Sequence, residues 1–265
     1  MSLRVIVDGP RDPQLNMAID EAIARLRGRI GYDTLRLYMW LPSGVSIGRR
    51  QDARTSVNLE EVERLGFKLV RRPTGGAALL HPQDEEVTYS VILSSGHPLY
   101  KLDVATSAAR IAEGVAIAIR RLGLEAGVRG LGEPWSRSFC YVNPGSSDVM
   151  IGGMKVSGSA QRRDWGSLLQ HGTLLLRYDH ELFSKVIRIE GDVEVKVAGL
   201  RELLDVSTGR VVEALIEGFV EALGYKDFHR DSLSSEELEL ALELYKAKYS
   251  RPEWNLEGVV VEEWR

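Results

Sequence analysis

Cysteine occurs once in these 265 residues, at Cys140. A single thiol rules out an internal disulfide and any cysteine-rich metal site, and leaves either a buried small side chain or a reagent. Cationic excess is missing too. Lysine and arginine number 34 against 38 aspartates and glutamates, a formal net charge of -4, which argues against a broad nucleic-acid surface while allowing a local basic patch. No apolar run approaches the roughly 18 residues of a membrane span. The opening "MSLRVIVDGP" lacks the charged-then-apolar pattern of a signal peptide, so the chain reads as cytoplasmic, with neither nucleic acid nor membrane as an expected partner. The P-loop pattern is absent, and no G-x-G-x-x-G opens a helix after a strand. No cluster of side chains has metal-ligand spacing. Internal repeats and low-complexity linkers are absent as well.

What is present suffices for one large mixed domain with or without a small appendage, since 44% of the residues are apolar. "RVIVDG" reads as a strand. Helical spacing of Met17, Ala18, Ile19, Ala22, Ile23 and Leu26 follows, with Asn16 as N-cap and Gly28 as stop. "TLRLYMW" and "GVSIG" read as a hairpin about a turn from Leu41 to Gly44, "LEEVERLG" as a short helix and "FKLVRRPTGG" as a strand with its loop. Beyond His81, "EVTYSVIL" alternates as a strand, "ATSAARIAEGVAIAIRRLG" is a long amphipathic helix, "SDVMIGGMKVSGSAQ" a Gly-turned hairpin and "GSLLQHGTLLL" a further strand. Helices dominate from about Ser207. The order predicts an α+β fold, with a core over 1–205 and a mainly helical part over 206–265 packed on the same domain.

Two stretches carry chemistry. In "RRPTGGAALLH", Arg71 to His81, a Gly-Gly after a strand brings bare backbone amides close to a ligand, and arginine offers a planar cation for the same anion. On its own this is an ordinary tight turn. The second stretch, "GGMKVSGSAQRR" from Gly152 to Arg163, places Lys155 after a double-glycine turn and follows it with small residues that leave room for a ligand. Taken singly, Lys155 reads as a solvated strand lysine and His171 of "LLQHGTLLL" as a core histidine. Together the segments point to a site.

The segments "RRPTGGAALLH", "KVSGSA" and "HGTLLL" resemble the signature of the lipoate-protein ligase and octanoyltransferase family, whose catalytic fold is shared with biotin-protein ligases. The resemblance extends to "NMAIDEA" (Asn16 to Ala22), "LRLYMWLPSGVSIGRRQ" (Leu35 to Gln51) and "KYSRPEWN" (Lys248 to Asn255). It implies a catalytic domain with a mixed and antiparallel sheet flanked by helices. It also implies attachment of an octanoyl or lipoyl group to a lysine of a lipoyl carrier domain, of the 2-oxoacid dehydrogenase E2 or glycine-cleavage H protein type. By the same resemblance, Arg72, Thr74, Gly75, Gly76, His81, Val156, Gly158, Ala160, His171 and Gly172 bind the acyl group or acyl-adenylate, and Val156 and Leu79 are candidates for its tunnel.

Two chemistries occur in that family. Ligases activate free lipoate with ATP and Mg²⁺ as an acyl-adenylate, and a ligase reading of this chain leaves room for an accessory subunit. One branch of octanoyltransferases takes the acyl group from octanoyl-acyl carrier protein through a cysteine thioester and needs no obligatory cofactor. Cys140, fifteen positions before Lys155, matches the nucleophile of that branch, and "EVTYSV" and "LQHG" resemble its wording. The favoured expectation is therefore an acyltransferase with Cys140 and Lys155 as catalytic residues and no metal site. The alternatives are an ATP-dependent ligase and a non-catalytic acyl-binding scaffold.

Overall fold

Asp12 begins the first helix one turn earlier than the apolar spacing predicts. Its carboxylate accepts from the backbone N–H groups of Gln14 and Leu15, and Pro13 sits in the first turn, so α1 runs Pro13–Ile30 and ends at Gly31 in the left-handed region (φ 86°). Asn16 is instead buried inside the helix, where its amide donates to the carbonyls of Arg11 and Met39. Gly28 stays helical.

The computed structural model describes residues 2–131, 145–188 and 196–259. Around α1 stand β1 (Leu3–Val7), β2 (Thr34–Tyr38), β3 (Gly44–Ile47), α2 (Ala53–Ser56), α3 (Leu59–Arg64), β4 (Lys68–Arg71), β5 (Leu79–His81), β6 (Glu86–Ser94) and α4 (Val104–Arg121). They are followed by β7 (Gly127–Val128), β8 (Val149–Ile151), β9 (Met154–Asp164), β10 (Ser167–Leu175), α5 (His180–Val186), α6 (Thr208–Ala222), β11 (Phe228–Asp231) and α7 (Ser235–Leu244). Eight strands form one sheet in the order β11-β1-β2-β6-β10-β9-β8-β7, and three form a second in the order β4-β3-β5. In the large sheet β1 runs parallel to both β11 and β2, and the other pairs are antiparallel. The fold is thus mixed α+β, as the element order predicts.

Both faces of the large sheet are covered. Val5, Leu37, Val91 and Leu168 point into a core closed by α4 and α6, while their neighbours Ile6, Tyr38, Ile92 and Leu169 point into a second core closed by α1 and α7. Because both faces are buried, these strands read as apolar runs. The predicted hairpin between β2 and β3 does not form. β2 is fully buried between β1 and β6, whereas β3 crosses to the small sheet between β4 and β5. Each strand needs partners on both edges, which pairing only with each other would not supply.

The C-terminal part contributes more than helices. β11 extends the large sheet beyond β1, and Arg4 of β1 reaches Glu237 of α7 through two buried hydrogen bonds of 2.7 and 2.6 Å. Among the described residues no helix is long and apolar enough to cross a membrane.

Candidate functional site

The end of β4 and the loop that leads to β5 carry the two arginines, and each has a structural task. Arg71 donates to the carbonyls of Gly48, Arg49, Gln51, Trp254, Asn255 and Leu256, so it ties β4 to the C-terminal segment. Arg72 donates to Ser46 Oγ at 2.6 Å and to the carbonyls of Gly75 and Ala77 at 2.9 Å each, clamping the glycine loop from inside. Among the described residues no carboxylate offsets its burial, which lowers the Arg72 guanidinium to about 10.

Two histidines anchor this loop to the sheet through buried relays. Asp20 of α1 accepts from Arg36, Tyr38 and Ser90, and His171 Nδ1 lies 3.2 Å from the same carboxylate. Burial opposes charge on Asp20, yet the His171 hydrogen bond and the Arg36 guanidinium outweigh it and hold the carboxyl below its usual range. An ionised carboxylate accepts only, so His171 donates through Nδ1. Burial lowers the His171 imidazole, which favours its neutral form, and Nε2 then accepts from the Thr74 hydroxyl at 2.6 Å. The second relay runs from Glu86 to His81 Nδ1 (2.8 Å) and from His81 Nε2 to Ser46 (2.6 Å), with Trp40 stacked on the imidazole at 3.9 Å. Ser46 is also the acceptor of Arg72, so both relays converge on the loop.

Between the two sheets lies a cavity of about 230 Å³. Gly158 and Ala160 of β9, His171 and Thr173 of β10, Thr88 of β6 and Tyr38 of β2 form one wall, all on a single face of the large sheet. Gly76 to Leu79 of the loop, with Ser46 and His81, form the facing wall. Met17 and Trp40 add apolar surface.

Lys155 enters this cavity as part of an ion pair. Its Nζ lies 2.8 Å from Asp148 Oδ1, and both side chains are largely buried, at 14% and 5% exposure. Burial pushes the Asp148 carboxyl up, with Lys155 acting in the opposite direction. The other oxygen, Oδ2, accepts from the backbone N–H of Gly145 at 3.0 Å. Glycine at 158 makes the arrangement possible, because a Cβ there would stand 3.0 Å from both Cε and Nζ of Lys155. Glycine at 172 is required equally, since its Cβ would meet the Gly158 carbonyl at 2.4 Å and the Tyr89 hydroxyl at 2.6 Å.

Of the residues singled out by sequence, Lys155, Arg72, Gly76, His81, Gly158, Ala160, His171 and Gly172 line the cavity, as does Leu79. Thr74 stands behind His171, and Gly75 is exposed on the loop. Val156 is fully buried in the core beneath α4 and α6 and is not among the cavity-lining residues. Cys140 lies outside the described residues. Sequence reasoning passed over Asp148, Ser46, Trp40 and Asp20. The signal for Asp148 was faint, an aspartate seven residues before a hairpin lysine. Among the described residues no group of three or more histidine, cysteine, aspartate or glutamate side chains is placed to hold a metal ion.

The lipoyl protein ligase A/B catalytic domain matches residues 12–220. Octanoyltransferase LipM of Kyrpidia tusciae is 41% identical over 273 residues, spanning 95% of this chain and 97% of its own. Among solved structures, an archaeal lipoylation system from Thermoplasma acidophilum, described as a bi-partite lipoate protein ligase and its E2 lipoyl domain, is similar with a TM-score of 0.83 and 30% identity, covering 99% of each chain. Lipoate-protein ligase A bound with ATP is similar with a TM-score of 0.85 and 31% identity over 98% of this chain and 100% of that one.

Proposed function

The chain belongs to the lipoyl protein ligase A/B catalytic-domain family, and from that premise we propose that it transfers an octanoyl group from acyl carrier protein to a lysine of a lipoyl carrier domain through a Cys140 thioester. The observation that carries the reading is the Lys155–Asp148 pair, a fixed cation at the wall of a cavity with apolar surface. The kinship with octanoyltransferases and with a ligase solved alongside its E2 lipoyl domain supports the choice of substrate and acceptor.

The steps follow from the groups. The Cys140 thiolate attacks the donor thioester carbonyl, and Lys155 stabilises the oxyanion that develops there. Collapse forms the Cys140 thioester and expels the thiolate of the carrier's prosthetic arm. The acceptor lysine amine then attacks the same carbonyl, an amide forms, and the Cys140 sulfur leaves. Gly145, whose N–H is bonded to Asp148, is five residues from Cys140 in the chain, so one carboxylate engages both Lys155 and the end of the segment that bears the nucleophile. Burying the acyl tail contributes about 0.8 kcal/mol per methylene, several kcal/mol for eight carbons. No cofactor is required for these steps.

Intact-mass measurement tests the proposal. Mixing with octanoyl-acyl carrier protein in the absence of acceptor leaves a hydroxylamine-labile octanoyl mass on the protein, and Cys140→Ser abolishes both that mass and the transfer. The likeness to an ATP-bound ligase supports a second reading, an adenylating ligase that uses ATP with Mg²⁺. In that case Cys140→Ser keeps full activity with octanoate and ATP, and pyrophosphate is released.

A further inference from the structure

Beside the cavity the chain gathers more positive charge than it neutralises. Arg162 follows Gly158 and Ala160 on the same face of β9, just beyond the residues that line the cavity, and its Nη1 donates to the carbonyl of Pro73 in the glycine loop at 3.0 Å. Arg49 donates its backbone N–H to the carbonyl of the next loop residue, Thr74, at 2.8 Å. The preceding Gly48 presses so closely on the loop that a Cβ would lie 2.0 Å from the Gly76 carbonyl oxygen. Arg162 thus meets this stretch of loop through its guanidinium and Arg49 through its backbone, and the exposed Arg49 side chain stands near enough to Arg162, Asp164 and Glu21 to feel their charges. Burial depresses Arg49 first, and the charge of Arg162 depresses it further.

Arg25 and Lys248 complete the group, since Arg25 and Arg162 both act on the Lys248 ammonium. The carboxylates facing it are Glu21 and Asp164. Glu21 pairs with Arg25 and Lys248 at 2.6 Å each, and Asp164 pairs with Arg162. With Arg50, which also acts on Arg49, five cations thus stand against two carboxylates, and among the described residues Arg49 has no ion pair. A second observation points the same way. At the tip of the β9–β10 hairpin, Trp165 takes φ 55°, a conformation usually left to glycine or asparagine. Held there, its ring contacts two guanidiniums, with Arg162 Cζ at 4.5 Å and Arg25 Cζ at 5.1 Å from the centroid. Stacking on Trp165, together with the bonds to Pro73 and Asp164, fixes the Arg162 guanidinium beside the loop.

We propose that Arg49 and Arg162 form an anion subsite that takes the phosphate of the pantetheine arm on which the acyl donor presents its thioester. The inference rests on the thioester reading above and deepens it. Lys155 Nζ lies level with Gly158, and from Gly158 to Arg162 is four strand residues, about 13 Å. A thioester carbonyl held at Lys155 and an anion held at Arg162 are thus separated by the length of a linker. That matches a pantetheine arm, whose phosphate stands many bonds from its sulfur. The phosphates of ATP share this chemistry, and the test separates the two sources.

Calorimetric titration of the protein with octanoyl-pantetheine, octanoyl-4′-phosphopantetheine and ATP decides the matter. The phosphorylated thioester binds about tenfold more tightly than its unphosphorylated counterpart, the scale of charge-assisted hydrogen bonds. Arg49→Gln removes that preference and leaves the affinity for octanoyl-pantetheine unchanged. Added salt erodes the preference in the wild type. Equal affinity of the wild type for the two thioesters overturns the subsite, as does a preference that survives Arg49→Gln. So does an Arg49→Gln defect confined to ATP. Failure of the transfer reading shows separately, as the absence of a hydroxylamine-labile octanoyl mass on the protein.

Discussion

A lysine swinging freely on four methylenes stabilises an oxyanion poorly, because the entropy of fixing it falls within the transition state. Asp148 removes that freedom before substrate arrives, holding Nζ at 2.8 Å while its other oxygen is held by the Gly145 N–H. Lys155→Ala therefore lowers acyl transfer by at least about a hundredfold, the cost of one oxyanion donor. Asp148→Asn keeps the shape but loses the charge, and lowers kcat by about tenfold with little change in KM, since the defect lies in positioning. The pH profile separates this role from a merely structural one. Burial raises the Asp148 carboxyl, so it protonates at a higher pH than an ordinary carboxylate, and the ion pair with Lys155 is lost as pH falls through that raised value. Transfer by the wild type declines over this range. In Asp148→Asn that limb of the profile is absent, and its persistence there would assign the titration to another group.

The strands that carry the site are held together by backbone contacts that admit no side chain. Gly172→Ala places a Cβ 2.4 Å from the Gly158 carbonyl, where neither β9 nor β10 can yield without breaking their ladder. The substitution destabilises the fold by roughly 1–3 kcal/mol, read from the denaturant midpoint. Tyr89→Phe does not rescue it, since the carbonyl clash remains. Full rescue would place the strain at the Tyr89 hydroxyl instead. Such elements were legible in proportion to how local their signals are. β6 and β10 are legible from length and apolar content, β9 from the double-glycine turn before it, and α4 and α6 from helical stripes. The "HGTLLL" and "KVSGSA" motifs were visible as strings, but that their glycines touch is a fact of pairing register. β11 was missed because "FHRD" is a mostly exposed edge strand with no apolar pattern, fixed by its pairing with β1. The β2–β3 connection was misread because adjacency in sequence outweighed the partners each strand finds far along the chain. No sequence pattern reveals that backbone carbonyls take the donors of Arg71, or that Arg72, at the cavity wall, gives two hydrogen bonds to loop carbonyls and one to Ser46.

Across the whole molecule, the motif near the start and the motif near the end meet. Glu21 of "NMAIDEA" accepts from Lys248 Nζ at 2.6 Å and from the Tyr249 hydroxyl, both in "KYSRPEWN". Trp254 and Asn255 of the same segment bond the backbone of Arg71 at 2.9 Å each, directly before the clamp on the glycine loop. The C-terminal segment thereby holds α1 and β4 in one relation, and α1 in turn supplies Asp20 to the His171–Thr74 relay. Glu21→Gln tests this linkage. It strands the Lys248 ammonium, whose side chain is 7% exposed, and breaking such a buried pair costs about 3–5 kcal/mol. For a chain of this size the melting temperature falls by on the order of 10 °C. Replacing the stranded cation as well, in Glu21→Gln with Lys248→Met, recovers most of the loss, because an apolar side chain suits the site between Tyr249 and Trp254. The pH dependence has a defined sign. Burial alone would raise the Glu21 carboxyl, but Lys248 and Arg25 outweigh it and hold it below the usual range. Its contribution is therefore complete above the unfolded-state value of about 4.3 and is lost as pH falls through the depressed folded value. Glu21→Gln flattens this part of the acid limb and leaves the share due to Asp20 in place. A melting temperature within about 2 °C of the wild type would mean that Lys248 finds another partner, and that the C-terminal segment holds the site by Arg71 alone.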